Sequence, residues 1–89
     1  MTQPGLLIVD DHPVYRDALS EKLRTQFDAT KVRVAMAASA GEGLEVVQSS
    51  PSTRWVVVLD ILMPGLSGLA GIKAFKALDQ VEHVVAISG

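Results

Sequence analysis

Short apolar runs alternate with longer stretches of helical periodicity from one end of this chain to the other. The first run, Leu6-Leu7-Ile8-Val9, closes on Asp10-Asp11, and a later one, Trp55-Val56-Val57-Val58-Leu59, closes on Asp60. Unbroken runs of Val, Ile and Leu read as strands buried on both faces, the kind that parallel sheets contain. The pattern predicts strands over 6–10, 32–37, 55–60 and 84–88. Tyr15, Leu19, Leu23 and Phe27, with Ala18 beside them, form an apolar stripe that predicts a helix opened by Pro13, a residue suited to a first helical turn. A second helix over 40–48 has Ser39 as N-cap, Glu42 as the other half of a capping box, and Leu44 and Val47 on its buried side. Residues 49–53 are polar and punctuated by Pro51. Pro64-Gly65 marks a turn, and Ser67 caps a third helix whose inward face uses Leu69, Ile72, Phe75 and Leu78, with Gly68 and Gly71 weakening its first turns. Strands and helices alternating in this way specify βαβ units, hence an α/β domain with a doubly wound parallel sheet.

Composition narrows the class. The 89 residues make one small domain, and 48% hydrophobic content with only 4% aromatic describes an aliphatic core. There is no cysteine, which excludes a disulfide framework, a thiolate metal site and a thiol nucleophile, and fits the reducing cytoplasm. No basic region precedes an apolar stretch at the start, and no run reaches the roughly 18 apolar residues of a membrane span. A net charge of −2 with scattered Lys and Arg lacks the basic footprint of a nucleic-acid surface, so contact with DNA would fall to another segment.

The acidic strand ends carry the chemistry. In open α/β sheets ligands bind outside the carboxyl ends of the strands. Asp10, Asp11 and Asp60, gathered at one sheet edge, would repel one another unless a cation intervened. An oxygen-only donor set suits Mg²⁺, which takes one or two carboxylates and keeps several waters, and disfavours zinc or copper. Asp60, at the end of a central strand beside such an ion, is placed as a nucleophile towards phosphorus. His12 reads as a polar residue ahead of a helix start rather than a ligand, and His83 as exposed. Trp55 and Tyr15 read as packing residues.

With Asp10-Asp11 after the first strand, Asp60 after the third, Met63-Pro64 with Gly68 downstream, and Ser88 ending the fourth, the whole chain resembles the receiver domains of two-component response regulators. The segment Asp10-Asp11-His12-Pro13-Val14-Tyr15-Arg16 resembles the subgroup that carries a LuxR-type helix-turn-helix output. The resemblance implies a flavodoxin-like fold with strand order 2-1-3-4, and phosphoryl transfer from the phosphohistidine of a sensor histidine kinase to Asp60. It further implies Mg²⁺ bound directly by Asp11, Asp60 and the backbone carbonyl of Leu62, and through water by Asp10. The Ser88 hydroxyl would bind a phosphoryl oxygen and begin the switch towards an output, expected to be transcription.

The sequence also departs from that family. The lysine that normally ends the fifth strand has no counterpart, because the chain stops one residue after Ser88, and the last βα unit is missing with it. The domain over 1–89 is therefore expected to be incomplete at its C-terminus. Lys73 and Lys76, well inside the third helix, are not expected to substitute, and metal binding is expected to survive better than phosphorylation. Leu62 replaces an often polar residue, which implies slow self-hydrolysis of any phosphoaspartate. Two other readings compete with it. An Mg²⁺-dependent small phosphatase is opposed by the absence of an Asp two positions after Asp60. A truncated docking module that does not signal, self-associating through an uncovered strand edge or sheet face, follows from the missing lysine.

Overall fold

The computed structural model describes residues 3–26, 31–61 and 68–87. Over them the chain runs β1 (Gln3–Val9), α1 (Pro13–Gln26), β2 (Arg33–Ala37), α2 (Ala40–Gln48), β3 (Thr53–Asp60), α3 (Gly68–Lys76) and β4 (Val81–Ile87). The strands form one 4-stranded sheet in the order β2-β1-β3-β4 with every neighbouring pair parallel, as the apolar runs predicted. This is the doubly wound, flavodoxin-like arrangement, with the apolar strands β1 and β3 in the centre.

Three strands begin earlier than their hydrophobic runs. β1 starts at Gln3, whose N–H donates to the Ser52 carbonyl on the β3 side at 2.9 Å. Pro4 follows without breaking the sheet, because its nitrogen faces the β2 side, where pairing begins only at Gly5. β3 starts at Thr53. β4 starts at Val81 rather than 84, and its register against β3 shifts between Trp55 and Val56: Trp55 faces Val81, Val56 faces His83, and Glu82 is left over. This bulge places Val81 and Val84, three positions apart, against the same core, which strict alternation would forbid.

The main core lies between the sheet and the pair α2 and α3. Leu7, Val9, Ala37, Ala40, Val47, Trp55, Val57, Leu59 and Phe75 are all buried there. Gly43 lets α2 approach closely, since a Cβ on it would stand 3.0 Å from both Phe75 and Val9. The capping box forms with a small difference: Ser39 Oγ accepts the Glu42 N–H at 3.1 Å, while the Glu42 carboxylate accepts the N–H of Ala38 rather than that of Ser39.

Two helices differ from expectation at single positions. In α3 and just beyond it, Ile72, Phe75 and Leu78 face the core as expected, whereas Leu69 is 64% exposed and Gly71 is buried. Gly71 sits against Leu59, with Cβ space of 3.1 Å to its Cδ2, so a small residue fixes the contact where a leucine stripe had suggested otherwise. In α1, Ala18 is exposed and Ser20 is buried, with Arg16, Leu19 and Leu23 partly covered. The side chain of Tyr15, and Phe27, Met63, Pro64, Gly65 and Ser67, lie outside the described residues.

Candidate functional site

Strand register brings the acidic residues together. Val9 pairs with Leu59, so Asp10 emerges beside Asp60 at the carboxyl edge of the two central strands. Asp10 still belongs to the ladder through its N–H, which donates to the Ala37 carbonyl at 3.0 Å, and Ile61 extends β3 by donating to Ile87 at 2.9 Å. Both carboxylates are deeply placed, with Asp10 2% and Asp60 3% exposed, whereas Asp11 is 33% exposed.

The turn from β1 into α1 is built on Asp10. Its Oδ1 accepts the backbone N–H of His12 at 2.8 Å, an Asx turn that reverses the chain in two residues. Its backbone carbonyl accepts from Arg16 Nη1 at 3.1 Å. The His12 carbonyl accepts the N–H of Arg16 at 2.9 Å as the first helical bond of α1, which leaves Pro13 at the position where a missing N–H costs nothing. The turn therefore delivers Asp11 and His12 to the same edge as Asp10 and Asp60.

His12 lies among the carboxylates. Its Nδ1 is 2.9 Å from Asp10 Oδ1, 3.0 Å from Asp11 Oδ1 and 3.7 Å from Asp60 Oδ2, while the side chain remains 66% exposed. The expectation that this histidine merely precedes a helix misses that contact. The signal was present as the i to i+2 spacing from Asp10, since an Asx turn carries the ring of its third residue back with the backbone. The hydrogen bond to Asp10 foremost, then the negative charge of Asp11, raises the His12 pKa above its ordinary value against the opposing effect of desolvation. An imidazolium there partly answers the repulsion among the carboxylates.

The donor set suits a hard divalent cation. One ligand atom from each of Asp10, Asp11, His12 and Asp60 lies within 4.8 Å of the others. Asp11 Oδ1 is buried and has no hydrogen-bond partner, although Nδ1 of His12 stands 3.0 Å away. A buried carboxylate oxygen without a donor costs free energy that a metal–oxygen bond recovers. The carboxylates fit Mg²⁺, although the nitrogen of His12 means that the set is not oxygen-only. Of the other expected site residues, Leu62 and Ser88 lie outside the described residues. Lys73 and Lys76 are exposed in the last turn of α3.

Comparison with known proteins agrees with this geometry. Residues 6–89 match the family model of the response regulator receiver domain. The chain is 37% identical over 73 residues to the nitrate/nitrite response regulator protein homolog of Haemophilus influenzae, an alignment covering 81% of this chain and 33% of that protein. It is 32% identical over 82 residues to the transcriptional regulatory protein AfsQ1 of Streptomyces coelicolor, covering 92% of this chain and 34% of that protein. The chain thus spans about a third of the length of these curated relatives. Among solved structures, a response regulator receiver domain protein from Methanospirillum hungatei superposes with a TM-score of 0.71 at 27% identity, covering 92% of this chain and 63% of that one. Matched along nearly all its length and carrying its acidic residues at the strand ends, this chain belongs to the response regulator receiver domain family.

Proposed function

We propose that this chain is a phosphoacceptor module of a two-component system, in which Asp60 takes a phosphoryl group from the phosphohistidine of a sensor histidine kinase. The observation that carries the reading is the convergence of Asp60 with Asp10 and Asp11 at one sheet edge, with a buried Asp11 oxygen that no hydrogen bond satisfies. A carboxylate oxygen of Asp60 attacks phosphorus in line, the P–N bond to the kinase histidine breaks, and the departing imidazole retains its electron pair and takes up a proton. Asp10, Asp11 and Asp60 would hold Mg²⁺, with the Leu62 carbonyl as a further ligand. When bound, the ion neutralises charge on the phosphoryl oxygens. The Asp10 turn holds Asp11 in place, and the strand register holds Asp60 beside it. Because the named relatives are regulators, including a transcriptional one, control of transcription is the output that this reading favours.

Intact mass after incubation with acetyl phosphate and Mg²⁺ tests the reading. Wild type should gain one phosphoryl group and Asp60→Asn none; no gain in wild type, or an equal gain in Asp60→Asn, overturns it.

A second reading rests on β4. Among the described residues this strand pairs on one side only, and Val85 is 48% exposed on it. An unpaired edge beside exposed apolar surface recruits partners. That favours a docking module that associates with another copy of itself, and sedimentation showing a monomer at micromolar concentration would remove it.

A further inference from the structure

His12 is the one nitrogen donor in a cluster otherwise made of carboxylates, and family resemblance gives it no role. Its placement relative to the other donors is specific. On an octahedral ion with bonds of about 2.1 Å, neighbouring ligand atoms stand about 3.0 Å apart and opposite ones about 4.2 Å. Nδ1 is 2.9 Å from Asp10 Oδ1, 3.0 Å from Asp11 Oδ1 and 3.7 Å from Asp60 Oδ2. The first two separations match neighbouring ligands on one ion, and the third falls between the neighbouring and opposite values. The ring is held there from both ends, by the His12 N–H on Asp10 Oδ1 and by Pro13, which fixes the chain that follows. The buried Asp11 oxygen without a hydrogen bond lies on the same side, 3.0 Å from Nδ1.

We propose that His12 is a direct metal ligand through Nδ1, so that this site takes imidazole-accepting divalent cations such as Co²⁺ and Ni²⁺ in marked preference to Mg²⁺. The inference rests on the reading that the strand-end aspartates hold a divalent cation. For ligation Nδ1 gives up its proton, to solvent from the imidazolium or to Nε2 from the neutral ring, so that Nε2–H remains and the hydrogen bond to Asp10 is exchanged for a metal–nitrogen bond. Carboxylates and water suit Mg²⁺, while an imidazole adds little for Mg²⁺ and much for the later first-row ions. A ligand set of three carboxylates and one imidazole therefore separates the two classes of ion more widely than the carboxylates alone.

Calorimetric titration of the 89-residue chain with Mg²⁺, Co²⁺ and Ni²⁺ separately tests this, comparing wild type with His12→Ala, His12→Asn and Asp11→Asn. His83→Ala is the control for the other histidine. Both His12 variants should lose at least roughly tenfold in Co²⁺ and Ni²⁺ affinity, the lower end of what even an outer-shell partner of a metal contributes. Their Mg²⁺ affinity should change by less than about threefold, as expected where nitrogen is a poor match for the ion. Proton NMR of the Co²⁺ complex should show a strongly shifted, exchangeable imidazole N–H in wild type and in His83→Ala that vanishes in His12→Ala. Equal Co²⁺ affinity in wild type and His12→Ala, tighter binding in the variant, or a shifted N–H that survives it overturns the proposal. If wild type binds none of the three ions, or Asp11→Asn binds all of them unchanged, the underlying reading of the aspartates fails as well.

Discussion

The paired strands β1 and β3 have two very different ends. At one, Gly5 faces Trp55; at the other, Asp10 stands beside Asp60. The Gly5 end is filled with hydrocarbon: a Cβ on that glycine would lie 2.5 Å from Thr53 and 2.7 Å from the Trp55 ring. Trp55 is fully buried, with the Arg33 guanidinium 5.5 Å from its ring centroid and Arg33 in turn donating to Ser50 Oγ at 2.8 Å. The Asp60 end replaces carbon with carboxylate. Each end also buries one polar side-chain atom without a hydrogen bond, Trp55 Nε1 at the first and Asp11 Oδ1 at the second. The difference teaches that such an atom indicates a site only in company. The indole N–H stands among packing residues that offer no ligand set, whereas the Asp11 oxygen belongs to a convergent set of ligand atoms.

The largest effect that sharpens this contrast is expected at Gly5. Gly5→Val forces a branched side chain into space already occupied, and should destabilise by about 3 kcal/mol, the upper end of ordinary overpacking. Urea unfolding reads it; a change below about 1 kcal/mol would mean that the Trp55 end yields more readily than its distances imply. At the opposite end the sign reverses. In metal-free protein, Asp60→Asn removes one charge from a crowded set and should stabilise by about 1–2 kcal/mol, a fraction of the full repulsion because water and His12 already offset part of it. Saturating Mg²⁺ should stabilise wild type more than the variant and narrow that gap, and unfolding curves with chelator and with Mg²⁺ show whether it does.

Trp55→Phe should lie within about 1 kcal/mol of wild type by the same method, because the lost ring volume is offset by removing an unsatisfied N–H. A large loss would mean that the indole nitrogen has a partner in solution. The smallest effect concerns pH. The His12 pKa is raised in the folded protein, so its interaction with the carboxylates is fully present below the unfolded value of about 6.5. It is lost as pH rises through the higher folded value. The thermal midpoint of metal-free wild type should fall slightly across that window, and His12→Ala should flatten the slope.

Much of the fold was legible because parallel strands buried on both faces are written as uninterrupted apolar runs. The meeting of Asp10, Asp11 and Asp60 followed from that and from the rule for open sheets, while the order of the strands came from the family resemblance. What escaped depends on contacts that no local pattern records. Leu69 has the periodicity of a core residue, yet Gly71 takes the sheet contact because Leu59 needs a neighbour without a side chain. The early start of β4 was hidden by Glu82 and His83, polar residues that a hydrophobic run excludes. His12 was read from its neighbour Pro13, when its relation to Asp10 decided its position.

The extra residue in β4 reconciles two demands on one strand. Glu82 stands outside the pairing and is met by Arg54, whose Nε donates to it at 3.2 Å. Beyond it the strands fall into step from Val56 with His83 up to Asp60 with Ile87. The bulge thus acts as a slip joint between the two ends of the sheet. On one side of position 82 Val81 stays against the core, and on the other the phase of β4 beside Asp60 is kept.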